Sequence, residues 1–511
     1  MLPTFMQQPA ADLLVQAATA AIVAGNVGQA ASLLDRALVA DPRHPMALTK
    51  QAELAMLRKD HVRALRLIEA ALTVEANFAP AWNQRASALW AAGCHQQALE
   101  AARRAVSIQP PNPEFRLRLA QFAAWTGRGA ETRDVLSPML ETGSDGSIQD
   151  ATAIAMLGEL AIAEGRFAEA VPYLDQALAM RPDLAVTRML RGMNRLRLGR
   201  FREGWADYAV REGILGLYPD AAETLADRVW QGEDLTGKTL LVTDDQGHGD
   251  AIQFVRYLPL LRDRDPGAVT WRTFPPLVRL LADSVPYATV VNALPAGAWF
   301  DFQCNSTSLP RIFETEPGTI PVGVPYLRPP RRLKSAMKRP AGRPLQVGLV
   351  WSGDARHSRD HLRSIPASLF LRLAELPGIS FHSLQHEIRS TDLAAVAAGP
   401  AIGREVEKAA DFADTAALID RLDLVIAVDT GIAHLAGALG KPVWLILHVA
   451  PDWRWLADRS DSPWYPTMRL FRVTPAENRD GVGWKPVLDR VRRALSGFAR
   501  RAALAGGART A

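Results

Sequence analysis

The sequence predicts an α + α/β protein: an α-helical repeat array over residues 1–213, followed by two α/β lobes of nucleotide-binding type. Three observations predict it. Glycines recur at multiples of 34 residues through the first half. From Trp230 onward, short β-branched runs alternate with stretches of helical spacing, the signature of a parallel sheet. Residues 424–447, LVIAVDTGIAHLAGALGKPVWLIL, carry a buried strand that turns directly into a helix and then into a second buried strand.

The array comes first. Gly25, Gly93 and Gly127 keep the 34-residue spacing with Lys59 in the vacant slot, and after a four-residue slip the series resumes at Gly165 and Gly199. The slip coincides with the turn-rich insertion Glu141–Ser147. Small residues recur seven positions earlier, at Ala18, Ala52, Ala86, Ala120, Gly158 and Gly192. Others fall five and twelve later, at Ala30 and Ala37, Ala64 and Ala71, Ala98 and Ala105, Ala170 and Ala177. Small side chains let two antiparallel helices approach closely, and Pro42, Pro110 and Pro182 stop the second helix of their units. This pattern resembles the tetratricopeptide repeat, in which each unit buries its apolar face only against its neighbours. It implies about six hairpins and a protein- or peptide-binding surface. The fourth unit, with Thr132 and Met139 in alanine slots, and the sixth, with Gly204 and Tyr208, are degenerate. The sixth is expected to cap the array against the α/β half.

In the second half, strands are expected at 238–243, near 268–272, 288–292 and 299–302, then at 345–351, 379–384, 424–428 and 443–447. Helices are expected at 251–261, 366–376, 411–422 and 485–504, the last packing back across the lobes. The resulting domains are the array (1–213), a linker (214–236), a first lobe (237–316), an inter-lobe linker (317–344), a second lobe (345–484), and a C-terminal helix and tail (485–511). Two Rossmann-type lobes with a cleft between them make a GT-B-like arrangement, with ligand at the carboxyl ends of the strands.

Composition narrows the classes. Hydrophobic residues are 48% and charged residues 22% of the chain, ordinary for a globular protein. The net charge of +5 gathers at 328–343 and 490–501, in a linker and a tail rather than on a concentrated face, which argues against nucleic acid. Cys94 and Cys304 alone make neither a disulfide framework nor a CxxC metal site. The apolar stretch 422–450 is broken by Asp423, Asp429, His434, Lys441 and Pro442, unlike a membrane span. The opening MLPTFMQQPAADLL lacks signal-peptide features, so the cytoplasm is the expected location.

Several strings resemble a known family. DQGHGDAIQFVRYLPLL, VGLVWSGDARHSRDHLRSIP, SLQ, DFADTAALIDRLDLVIAVDTGIAHLAGALGKPVW and PDWRWLADRSDSPWYPTMRLFR are similar to bacterial tetratricopeptide-repeat proteins with a glycosyltransferase domain of the heptosyltransferase (glycosyltransferase family 9) group. The layout also resembles that of protein O-GlcNAc transferase. The resemblance implies that Asp250, ending the glycine-rich loop Gln246, Gly247 and Gly249, is the catalytic base. It implies that Asp429, Thr430, Gly431 and His434 bind the donor diphosphate, with Ser352, Gly353 and Arg363 also on phosphate and Gln385 reading the ribose or base. Relatives often carry Glu-Gln-Gly-Leu-Gly-Asp in the loop; Asp245 and His248 depart from it.

On the residues alone, Asp250 is either a base or a helix-first-turn acid, and Asp429 either a ligand-side residue or a helix N-cap. Arg363 and His434 are the candidates for positive charge against a leaving diphosphate, because one helix terminus supplies too little. Asp452 and Trp453 are candidates for closing the donor pocket, against an aromatic-core role. His357 and His361 flank Asp360, but the loop context argues against a metal site, and no cofactor is expected beyond a nucleotide-sugar co-substrate. The expected activity is an inverting, metal-independent sugar transfer to a protein or glycan acceptor. The alternatives are an inactive scaffold or nucleotide-sugar sensor, and a sugar-nucleotide epimerase.

Overall fold

A computed structural model of the chain describes residues 4–141, 147–214, 228–321, 323–330, 344–357, 360–478 and 483–507. Most of the first expected linker, half of the second, and the insertion after Glu141 lie outside the described residues. The chain forms two compact units, residues 1–160 with 173–182, and residues 161–172 with 183–511. No helix among the described residues is long and apolar enough to cross a membrane.

Six helical hairpins follow one another among the described residues: α1 (Thr4–Val23) with α2 (Val27–Ala40), α3 (Pro45–Leu57) with α4 (His61–Val74), α5 (Ala79–Ala91) with α6 (His95–Ile108), α7 (Pro113–Trp125) with α8 (Gly129–Glu141), α9 (Ile148–Ala163) with α10 (Phe167–Met180), and α11 (Ala185–Arg197) with α12 (Phe201–Tyr208). The periodic alanines are their seams: Ala18, Ala52, Ala86 and Ala120, with Ala30, Ala64, Ala98 and Ala170, are fully buried.

The turns explain the glycine series. Gly25, Gly93, Gly127, Gly165 and Gly199 have φ between +75° and +79°, the left-handed conformation that closes a helix with a Schellman motif. Each following amide reaches back to the last helical turn, as Asn26 does to the Ala21 carbonyl at 2.8 Å and Arg200 to that of Arg195 at 2.8 Å. Lys59, in the vacant slot, adopts the same conformation at φ +60°, and Asp60 donates to the Ala55 carbonyl at 2.9 Å. The geometry therefore survives there at a steric cost that glycine avoids.

The sixth hairpin, which the repeat period assigns to the array, packs as part of the second unit. Leu196, Phe201, Trp205 and Tyr208 share one core with Trp230, Trp271, Trp453 and Trp464 of the lobes. Its two helices touch at Gly192, where a Cβ would lie 2.6 Å from the Tyr208 amide nitrogen.

Each lobe is a parallel sheet. The first contains β1 (Thr239–Thr243), β2 (Ala268–Arg272), β3 (Thr289–Val291) and β4 (Phe302–Asn305), in the order β3-β2-β1-β4. The second contains β5 (Leu345–Val350), β6 (Ile379–Ser383), β7 (Leu424–Val428), β8 (Val443–Leu447) and β9 (Met468–Arg472), in the order β6-β5-β7-β8-β9. β7 and β8 are buried along their whole length, as continuous apolar runs require. The expected helix at 251–261 is two short helices, α13 (His248–Phe254) and Leu258–Arg262, joined by a 3-10 turn. Pro259 cannot donate within a continuing helix and instead opens the second one. β9 lies outside the strands the sequence predicts, because Arg469 and Arg472 interrupt its apolar pattern. The C-terminal helix, Trp484–Gly507, does not cross to the first lobe; Val487, Leu488, Val491 and Leu495 cover the sheet of the second.

Replacing Lys59 by glycine should remove the left-handed strain while adding chain entropy to the unfolded state, for a net gain of about 0.5–1 kcal/mol. Urea denaturation of the Lys59→Gly chain checks this; an unchanged or lowered midpoint for the array would contradict it.

Candidate active site

Ligands of open parallel sheets bind beyond the carboxyl ends of the strands, where the strand order reverses. In the second lobe that reversal falls between β5 and β7, so the loops Trp351–Gly353 and Asp429–Gly431 leave side by side. The helix after β7, α14 (Gly431–Ala438), has Thr430 as its N-cap in an extended conformation, and the Thr430 side chain makes no capping hydrogen bond. Asp429 is therefore not the N-cap. Its carboxyl is pushed up to about 6, first by burial and then by the charge of Asp452.

Arg363 lies between the two loops. Its Nη1 donates to the Asp429 carbonyl at 3.3 Å, and its Nε is 3.5 Å from Asp360. A Cβ on Gly353 would come within 2.7 Å of the guanidinium, so glycine is what lets the cation lie on the backbone. Arg389 braces the arrangement from behind, donating to the Gly353 carbonyl at 2.8 Å and to Asp360 at 2.5 Å. Asp360 is thus engaged by arginines. Ser352 is buried, and its hydroxyl has no hydrogen-bond partner among the described residues. Gln385 is also buried, but its amide is spent on the loop: Nε2 donates to the Ser352 carbonyl at 3.1 Å, and Oε1 accepts from the Ser352 amide at 3.2 Å. It holds the loop after β5 in place instead of facing outward to a ribose or base.

The first lobe brings its glycine-rich loop to the same point. Helix α13 starts at Gly247 and packs against α14. A Cβ on Gly249 would lie 2.9 Å from His434 Cδ2 and 3.5 Å from the Gly431 Cα. Asp250 accepts from the Gly247 amide at 3.0 Å. Its other oxygen accepts from Arg454, a buried residue that also donates to Asp452 at 2.8 Å and to Gln253 at 2.6 Å. His248 sits at the edge of the contact, its ring 5.0 Å from Phe274 and 5.1 Å from Phe412. Arg279 of the first lobe pairs with Asp411 at 2.6 Å and Asp414 at 2.5 Å of the second.

Two expectations need correction. His434 does not supply positive charge: burial, then the Arg454 guanidinium, push its imidazole down to about 3. It is a neutral ring whose Nδ1 lies 2.8 Å from the Tyr465 hydroxyl. Trp453 does not close a pocket. It is 1% exposed, edge-on to Trp205 at 5.1 Å and to Trp464 at 6.0 Å, while Asp452 caps the short turn that holds it. The residue of that string that reaches Asp250 is Arg454, which lies between two tryptophans.

Residues 399–446 match the model of glycosyltransferase family 9 (heptosyltransferase), a stretch that holds Asp429, Thr430, Gly431 and His434. Tetratricopeptide repeat models match residues 15–80, 63–113, 89–157 and 151–184. The chain is thus similar to tetratricopeptide repeats in its first half and, over a short segment, to glycosyltransferase family 9. Protein FlbA of Caulobacter vibrioides is 31% identical over 345 residues, which cover 62% of this chain and 56% of that protein. The match thus spans little more than half the length of that relative. Among solved structures, Pseudomonas aeruginosa pilF is similar at 18% identity and a TM-score of 0.34, over 42% of this chain and 95% of that one. PilW, a type IV pilus biogenesis factor, is similar at 17% identity and a TM-score of 0.35, over 42% of this chain and 96% of that one.

The acid in the turn between β7 and α14 gives a pH test. A carboxyl with a folded pKa of about 6 binds its proton more tightly folded than unfolded, so its contribution is present below about pH 4 and is lost as pH rises through 6. Asp429→Asn should therefore gain stability over the natural chain as pH is raised from 4 to 7, by on the order of 1–3 kcal/mol. Denaturant titrations across that range check it; a parallel pair of pH profiles would contradict it.

Proposed function

We propose that this chain is a nucleotide-sugar-dependent glycosyltransferase, inverting and independent of metal, with a protein or glycan as acceptor. The observation that carries the reading is the contact of Gly249 with Gly431 and His434, which sets an acid of one lobe beside the uncapped helix end of the other.

In this reading the donor diphosphate lies against the amide of Gly431, with Arg363 and the unpaired Ser352 hydroxyl around it. A helix end contributes up to ~2 kcal/mol even when partly buried, against the 8–23 kcal/mol that enzymes typically supply. Arg363 therefore provides the fixed charge that the leaving group needs. The acceptor hydroxyl oxygen attacks the anomeric carbon as Asp250 takes its proton. The bond to the diphosphate oxygen breaks, and the nucleoside diphosphate leaves with the electron pair. Arg454 holds the Asp250 carboxylate in place, a charge-assisted contact with a fixed direction. Neutral His434 serves as a hydrogen-bond donor: if the Tyr465 hydroxyl donates to Nδ1, the Nε2 proton faces the crevice. The repeats hold the acceptor or a protein partner, the use to which such arrays are generally put.

A second reading has one observation in its favour. Asp250 is bonded to the Gly247 amide and to Arg454, which also suits a structural acid in a nucleotide-sugar-sensing module without turnover.

One experiment separates the two. The full chain is incubated with UDP-glucose, GDP-mannose and ADP-glucose, and both thermal shift and nucleotide release are measured. Turnover is expected with one of them, and Asp250→Asn should lower kcat roughly 10²–10⁴-fold while keeping the thermal shift. Arg363→Met should remove most of that shift. Full turnover by Asp250→Asn would remove the base, and stabilisation without release would favour the sensor.

A further inference from the structure

We infer that the last repeat completes the active site: Tyr208 and Arg211 are positioning residues for the loop that carries Asp250. The inference rests on the reading of Asp250 as the base.

The first lobe has its own strand-order reversal, between β1 and β4. The loops after β1 and β4 leave side by side there, as in the second lobe, but the space between them is filled from the repeats. Arg211, which opens a short helix (Arg211–Ile214) right after α12, is 1% exposed. It pairs with Asp245 of the β1 loop and donates to Thr307 and Ser308 of the β4 loop. Thr307 and Asn305 hold the same carboxylate, at 2.8 and 3.2 Å. The neighbouring residue, Gln246, donates to the Tyr208 hydroxyl at 2.9 Å. The aromatic body of Tyr208 is fixed in turn beside Trp205 and Trp453.

Two consecutive residues of the loop are thus bonded to the repeat side, four and five positions before Asp250, and α13 begins between them and the acid. On the far side, Arg454 fixes Asp250 itself. The carboxylate is held between two anchors, one of which belongs to the repeats. A group whose misplacement by about 1 Å can cost 10²-fold in rate has its backbone set by a tyrosine hydroxyl and a buried arginine from the preceding hairpin.

Simple interface packing would make these residues matter for stability alone; positioning makes them matter for turnover at fixed stability. The test uses the full chain and the sugar nucleotide, among the three above, that gives the most nucleotide release. Tyr208→Phe keeps the ring and removes only the hydroxyl. It should lower kcat roughly tenfold, leave the donor KM within about twofold and leave Tm unchanged, with amide hydrogen exchange at residues 246–250 accelerated. Arg211→Lys, which keeps the charge but not the fork, should lose more kcat than Tyr208→Phe and less than Arg211→Met. Unchanged kcat in Tyr208→Phe, or a kcat loss that only tracks a fall in Tm, would overturn the inference. If the natural chain released no nucleotide from any donor, that failure would fall on the transferase reading. The exchange measurement would then decide this one, and unaltered exchange at 246–250 would overturn it.

Discussion

The candidate site is built where two helices from different lobes meet at glycines, Gly249 on one and Gly431 on the other. Gly249 stands against Gly431 and the His434 ring so closely that a methyl group would lie 2.9 Å from the imidazole. Interiors are packed too tightly to absorb such a group without displacement. Everything else at the site is arranged around that contact. Asp250 follows Gly249 directly, Asp429 and Thr430 precede Gly431, and Arg363 reaches the Asp429 carbonyl from the neighbouring loop. A side chain at Gly249 would part the acid from the helix end, whichever lobe yielded.

Charge at the crevice is distributed unequally. Arg454 is committed to Asp250 and Asp452, and Asp452 is held low overall by that guanidinium although burial pushes it up. His434 is neutral, and Asp429 is held up towards neutrality by burial. With a value of about 6 that carboxyl is still largely ionised at neutral pH, and Arg363 lies on its backbone carbonyl. A buried ion cluster of this kind is specific in geometry because breaking any one pair strands its partner.

Much of this architecture is legible in the sequence, and the illegible parts have identifiable causes. The glycine series marks a backbone conformation, so it reports the helix pairs directly; Lys59 shows that the conformation, not the residue type, is what repeats. The strands β7 and β8 are readable because they are buried on both faces, whereas β9 is hidden by two arginines. Motif strings place Gly353, Arg363 and Gly431 correctly together, since each lies on a loop next to its strand end. They give no account of Gln385, whose amide is consumed by the Ser352 backbone, or of His434, whose charge state depends on burial by distant residues. Trp453 and Arg454 are adjacent in sequence, yet one is core and the other holds the acid, a difference set by packing against Trp205 and Asp250. That the sixth hairpin meets the lobes is legible in its degenerate small-residue slots, but the partners of its aromatic face, Trp453 and Trp464 among them, are set by packing.

The most direct measurement is a crystal structure of the full chain grown with UDP, GDP or ADP, whichever stabilises it most. The account predicts diphosphate density within hydrogen-bond distance of the Gly431 amide and the Arg363 guanidinium, with Asp250 across the crevice. Diphosphate bound elsewhere on the second lobe, or a crevice closed by side chains with Asp250 turned away from it, would contradict it.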